Sequence, residues 1–186
     1  MLLVLLGPPG VGKGTQCRML VERFDWQVIS TGEILRRAMR EGTSLGQKAR
    51  EFVDQGQLLP DGIMIELVRD ALPLSTIRKG CLLDGFPRTI PQAEDLAVWL
   101  KSLPAQLDAV IVLMVDDSEL RRRMLQRAVE EGRSDDTSDA IAVRLETYHR
   151  QTAPLIEYYR AQGILHEVSG LGTPAEVQKR IVECIP

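Results

Sequence analysis

The sequence predicts an α/β fold: a five-stranded parallel sheet with helices on both faces. Three observations predict it. Short apolar runs alternate along the chain with amphipathic helical pattern, the spacing of right-handed strand–helix–strand crossovers. The first run, Leu2 to Leu6, breaks directly into the glycine-rich segment GPPGVGKGT, Gly7 to Thr15, before a helical stretch. A length of 186 residues with 44% apolar composition suits one compact domain with small insertions and a full core.

Taken in order, the strand-like segments after Leu2 to Leu6 are Gln27 to Ser30, Gly80 to Asp84, Ala109 to Val115 and Ile164 to Val168. Each is short, apolar and followed by helical periodicity, so ligands are expected at the carboxyl ends of the strands. Thr15 to Val21 reads as the first helix. Ser30 with Glu33, and Thr173 with Glu176, have the spacing of capping boxes, and Pro91 and Pro174 suit a first helical position. Thr31 to Arg78 is too long for a simple crossover, and Gly42, Gly46, Gly56 and Pro60 mark joints within it, so it is expected to hold an inserted helical subdomain. Arg127 to Thr137 is polar and rich in turn formers and is expected to form a short mobile lid. In the helix that follows, about 138–162, Pro154 removes a backbone donor and should kink or break it.

The loop Gly7 to Thr15 carries the chemistry. Gly7, Gly10, Gly12 and Gly14 lack a Cβ, which lets the backbone take positive φ and turn several N–H groups toward one polyphosphate. Lys13 adds a point charge, and the dipole of the following helix faces the same anion. The residue after Lys13 is Gly14, where most such loops place the Ser or Thr that holds Mg²⁺; Thr15 comes one place later. That shift points to a nucleotide kinase acting on nucleoside monophosphates. A net charge of −3 argues against bulk nucleic-acid or anionic-membrane binding, yet eighteen of the twenty-three basic residues are Arg, whose fork suits phosphate. Cys17, Cys81 and Cys184 have no zinc spacing and read as reduced core thiols of a cytoplasmic protein. No apolar run approaches the roughly 18 residues of a membrane span.

A second constellation, Asp84-Gly85-Phe86-Pro87-Arg88, closes a buried strand with a carboxylate and follows it with an arginine. Asp84 would stand beside the phosphate loop and hold Mg²⁺ through water, since Gly14 offers no hydroxyl, while Arg88 would meet a second anion.

With Ser30 to Arg36, Gly56 to Pro60, Asp84 to Arg88 with Gln92, Gly132 to Asp136 and Arg144 to Tyr148, the chain resembles the adenylate kinases over essentially its whole length. The resemblance implies a P-loop NTPase-type three-layer fold with core 1–29, 60–126 and 137–186, a nucleoside-monophosphate-binding subdomain 30–59 and a short lid 127–136. It implies reversible γ-phosphoryl transfer from Mg-ATP to AMP, giving two ADP, by a monomer. Gly10, Val11, Gly12, Lys13, Gly14 and Thr15 would cradle the ATP phosphates. Arg123 and Arg127 would meet ATP from the lid side and Gly172 would meet its adenine. Thr31 and Gln92 would read the AMP adenine, and the backbone of Gln57, Leu58 and Leu59 would line that pocket. Arg36 and Arg88 would clamp the α-phosphate, Arg133 and Arg144 would close over the phosphates, and Gly85, Phe86 and Pro87 would shape the floor. Lys13, Arg88, Arg127, Arg133 and Arg144 would be the catalytic set. Such a set aligns donor and acceptor and neutralises charge, with no general base required. Long-lid members of that family insert a small β-rich module, often with four zinc-binding cysteines; the short loop between Arg127 and Arg144 here implies no structural zinc.

A UMP/CMP kinase would share the fold and most arginines, but that family tends to carry Ala at Thr31 and Asn at Gln92. A regulatory GTPase would read guanine with an Asn-Lys-x-Asp segment, and this chain has no Asn. A silent nucleotide sensor would be expected to lack Lys13, Asp84 or some of the arginines. Arg37, Arg40, Arg121 and Arg122 read as solvated faces, and His149 and His166 as packed or surface residues.

Overall fold

The computed structural model describes residues 1–131 and 137–186. Chain order runs β1 (Leu2–Leu6), α1 (Lys13–Phe24), β2 (Gln27–Ser30), α2 (Thr31–Glu41), α3 (Ser44–Val53), α4 (Asp61–Ala71), α5 (Leu74–Lys79), β3 (Cys81–Asp84), α6 (Ile90–Lys101), β4 (Ala109–Met114) and α7 (Asp117–Glu131). It continues with α8 (Ser138–Thr147), a π-helical turn (Tyr148–Thr152), α9 (Pro154–Arg160), β5 (Leu165–Ser169) and α10 (Pro174–Val182). Among the described residues the sheet is five-stranded in the order β2-β3-β1-β4-β5, and every pairing is parallel.

Side-chain alternation along the central strands divides the core into two layers. Leu2, Val4 and Leu6 of β1, Cys81 and Leu83 of β3, and Val110 and Val112 of β4 pack with residues of α2 to α6 and α9. Leu3, Leu5, Leu82, Ala109, Ile111 and Leu113 face the other way, onto Cys17 and Leu20 of α1, Leu120 and Met124 of α7, Ile141 and Leu145 of α8, and Val177 and Ile181 of α10. Because both faces are covered, β1 reads as a continuous apolar run.

Two helix starts that look alike in sequence differ in space. At Thr173 both bonds of the capping box form: Glu176 N donates to Thr173 Oγ1 at 3.3 Å and Thr173 N to Glu176 Oε2 at 2.7 Å. The box expected at Ser30 does not form. Ser30 is in register with Asp84 across β2 and β3, and its hydroxyl donates to Asp84 Oδ2 at 3.0 Å. A carboxylate is the stronger acceptor, so the side chain turns to the strand and leaves the helix end.

The expected disruption at Pro154 takes the form of the π turn. Ala153 N donates to Tyr148 O at 2.8 Å, a five-residue bond just ahead of the proline that lacks a donor of its own. The inserted helical region, Thr31 to Arg78, holds α2 to α5, of which α2 and α3 cross closely: a Cβ at Gly46 would stand 2.0 Å from Ala38 O. Of the expected lid, residues 127–131 continue α7 and residues 132–136 lie outside the described residues. No helix among the described residues is long and apolar enough to cross a membrane.

Candidate active site

Register assembles the site. Leu5 of β1 and Ser30 of β2 both lie opposite Asp84 of β3, so the carboxylate ends its strand beside the glycine-rich loop that follows β1. In that loop Gly10 and Gly12 take φ of 81° and 104°. Gly10 is also hemmed in, since a Cβ there would meet Met124 Cγ at 2.8 Å. Gly14 differs from the expectation of positive φ: α1 already begins at Lys13, so Gly14 lies in its first turn and exposes the N–H groups of a helix start.

Lys13 Nζ donates to the carbonyl oxygens of Gly7 at 2.7 Å and Pro8 at 2.9 Å. Removal of the ammonium from water lowers its pKa to about 8, and the charge of Asp84 opposes that fall. Arg88 is likewise pushed down, first by burial, with Asp84 opposing and Arg36 adding to the shift. Its Nε donates to Gly85 O at 2.8 Å. Arg123 pairs with Glu119 at 2.8 Å and reaches Val11 O at 3.4 Å and Gly170 O at 3.2 Å, tying the loop after β5 to the phosphate loop.

A cavity of about 1580 Å³ opens over these groups. Gly10, Gly12, Lys13, Gly14, Thr15, Arg123 and Arg127 line it on the loop side. Thr31, Arg36, Gln57, Leu58, Leu59, Asp84, Gly85, Pro87, Arg88, Gln92 and Arg144 line the remainder. Val11 and Phe86 do not; their side chains are buried in the two core layers. Gly172 lies beyond the lining, after β5, and Arg133 lies outside the described residues. Gly56 brings the insertion against α8: a Cβ there would stand 3.0 Å from Arg144 Cγ and 3.1 Å from Ala140 O.

Of the lining residues, Thr31 and Gln92 are each 1% exposed. Thr31 Oγ1 donates to Gly85 O at 2.9 Å, which commits its hydrogen and leaves only lone pairs to offer. A buried acceptor of this kind suits an amino group and rejects a carbonyl. Gln92 accepts from Arg88 N at 2.7 Å and donates to Asp61 Oδ1 at 2.7 Å.

Three contributions escape sequence reading. Ser30, which looks like a cap, orients Asp84. Thr152, in the π turn, donates to Arg88 O at 2.9 Å, and with Thr147 and Tyr148 it lines the cavity. Asp61, which looks like the first acidic residue of a helix, bonds to Gln92. Pro154 was the available signal for the second; the other two depend on contacts between distant segments. Arg37 and Arg40 also line the cavity, at exposed positions that agree with a solvated face.

A parallel sheet with a phosphate loop after β1, a carboxylate at the end of the adjacent strand and one cavity that runs from that loop to several arginines defines a P-loop phosphotransferase that works on two anionic nucleotides. The family model described as "Adenylate kinase" matches residues 5–164. The chain is 46% identical over 183 residues to an adenylate kinase of Leptospira biflexa, covering 98% of each chain. It is 46% identical to that of Maricaulis maris, covering 100% of this chain and 98% of the relative. To that of Thermus thermophilus it is 45% identical, covering 96% and 94%. The chain belongs to the adenylate kinase family.

Proposed function

We propose that the chain transfers the γ-phosphoryl group of Mg-ATP to AMP, reversibly, with the donor on the loop Gly10 to Thr15 and the acceptor between the 30–59 subdomain and Asp84 to Gln92. The observation that carries this reading is the convergence of Lys13, Arg36, Arg88, Arg127 and Arg144 on one cavity that the buried side chains of Thr31 and Gln92 also line. Lys13 would leave its loop carbonyls to follow the transferred group. Arg36 and Arg88 would clamp the AMP phosphate, with Arg127, Arg133 and Arg144 spreading positive charge over the equatorial oxygens. Arg123 would hold the ATP side, with Gly172 near the donor adenine. Closure of 30–59 and of the lid 127–136 over the cavity would exclude water that otherwise takes the phosphoryl group.

The donor set fits Mg²⁺ carried by ATP. Among the described residues no three His, Cys, Asp or Glu side chains gather, and Asp84 offers one carboxylate with the Ser30 hydroxyl behind it. Mg²⁺ keeps several waters and is held through one or two carboxylates plus substrate phosphates. When bound it would neutralise charge on the β- and γ-phosphates.

A coupled assay of ADP formation from Mg-ATP with AMP, UMP, CMP and GMP at equal concentrations tests the reading. AMP is expected to have the highest kcat/KM. A higher value for UMP or CMP would overturn the acceptor assignment, and transfer to none would overturn the activity. The same reading takes the protein as a cytoplasmic monomer, which sedimentation and cell fractionation test.

A further inference from the structure

Gln92 is held at both ends of its amide. Nε2 donates to Asp61 Oδ1 at 2.7 Å and Oε1 accepts from Arg88 N at 2.7 Å. The same Asp61 oxygen accepts from Thr89 Oγ1 at 3.0 Å, and Thr89 in turn accepts from Gln92 N at 3.3 Å, so the carboxylate is fixed from the helix that carries Gln92. An ionised carboxylate only accepts and a backbone N–H only donates. Turning the amide over would set its oxygen against Asp61 and its NH₂ against the Arg88 N–H. One orientation therefore survives. Gln92 then has one N–H and one carbonyl lone pair left, and it lines the cavity, whereas Asp61 does not.

A free amide would be indifferent to the purine it reads. A 6-amino purine presents a donor at C6 and a bare N1 acceptor, and a 6-oxo purine presents the reverse. Glutamine matches either after a half-turn. We propose that Asp61 is a positioning residue that, acting with the Arg88 N–H at the other end of the amide, opposes this half-turn and so makes the acceptor site select 6-amino over 6-oxo purine monophosphates. The inference rests on the reading above in which Gln92 faces the acceptor base. Thr31, with its hydrogen committed to Gly85 O, discriminates in the same direction from a second side.

The test compares kcat/KM for AMP and for inosine monophosphate, which differ only at this edge, in the parent protein and two variants. Asp61→Ala removes the acceptor; Asp61→Asn keeps an oxygen able to take both bonds. The AMP-to-IMP ratio is expected to fall at least about tenfold in Asp61→Ala, the size of a lost hydrogen bond to a charged group, and to stay within about threefold of the parent in Asp61→Asn. A purely structural role would lower both substrates together, and an unchanged ratio in Asp61→Ala would overturn the proposal. Thermal melting checks that each variant is folded at the assay temperature. Should Asp61→Ala fail there, Asp61→Ser, a better residue for a helix start whose shorter side chain withdraws the acceptor from Gln92 Nε2, gives the same readout: a fallen ratio supports the proposal and an unchanged one overturns it. If the parent itself prefers UMP or CMP to AMP, the reading of Gln92 fails and the inference falls with it. Failure confined to Asp61→Ala leaves that reading standing.

Discussion

Lys13 Nζ lies 2.7 Å from the carbonyl oxygen of Gly7, so the loop that is shaped for a phosphate also shelters the ammonium that would meet it. The arrangement has a pH consequence. The folded-state pKa is lowered to about 8 from 10.5, so between those values the unfolded chain holds more protons and the contribution of this group to stability rises with pH. Nucleotide binding acts in the opposite sense, because phosphate oxygens restore the charged form. ATP affinity should fall as pH rises above about 8, and binding there should take up close to one proton. Calorimetry in buffers of different ionisation enthalpy checks this; affinity that stays flat well above that pH would contradict it.

Replacing Lys13 with Ala or Arg88 with Lys should reduce turnover far more than folding stability. Loss of a preorganised donor to a developing charge costs about 100-fold or more, and Lys at position 88 lacks the fork that clamps phosphate bidentately. Steady-state kinetics alongside thermal melting make the comparison. Comparable losses in both would remove these residues from the catalytic role.

Asp84 and Ser30 should separate in their Mg²⁺ dependence. Asp84→Asn removes the carboxylate, while Ser30→Ala removes only the hydroxyl bonded to it at 3.0 Å. Loss of such a supporting bond shifts metal affinity or activity by about tenfold. The Mg²⁺ concentration for half-maximal rate should rise by about that factor in Ser30→Ala and by more in Asp84→Asn. An equal response would mean that Asp84 acts only through Ser30.

Gly46→Ala and Gly62→Ala should move stability in opposite directions. A Cβ at Gly46 would strike the backbone of α2, 2.0 Å from Ala38 O and 2.6 Å from Met39 N, so the two helices must part. Overpacking of this kind costs about 2 kcal/mol, a drop in Tm of about 4–8 °C at this chain length. Gly62 lies in α4 without a positive φ, and a Cβ there would meet nothing within 4 Å, so Ala should stabilise by about 0.5–1 kcal/mol. Differential scanning calorimetry reads both.

Most of the fold and much of the cavity lining could be read from residue order. Strand positions follow from short apolar runs, because burial on both faces demands them. Loop chemistry follows from glycine and lysine spacing, because phosphate binding needs backbone N–H groups and charge within a few residues. Those are local constraints, carried by neighbouring residues and expressed wherever they fold.

Contacts between distant segments were decided by tertiary structure. Ser30 has the sequence of a cap, yet register places Asp84 within 3.0 Å and the carboxylate takes the hydroxyl. Thr152 reaches Arg88 from the π turn ahead of Pro154, 64 positions away in the chain. Asp61 and Gln92 stand 31 positions apart and share a bond of 2.7 Å through the packing of α4 on α6. A hydrogen bond depends on distance in space, and several of these polar side chains have more than one partner within reach of their own sequence. By itself the sequence determined the parallel α/β scaffold and the phosphate loop; the packing of the helices on the sheet decided which partner each buried polar side chain took.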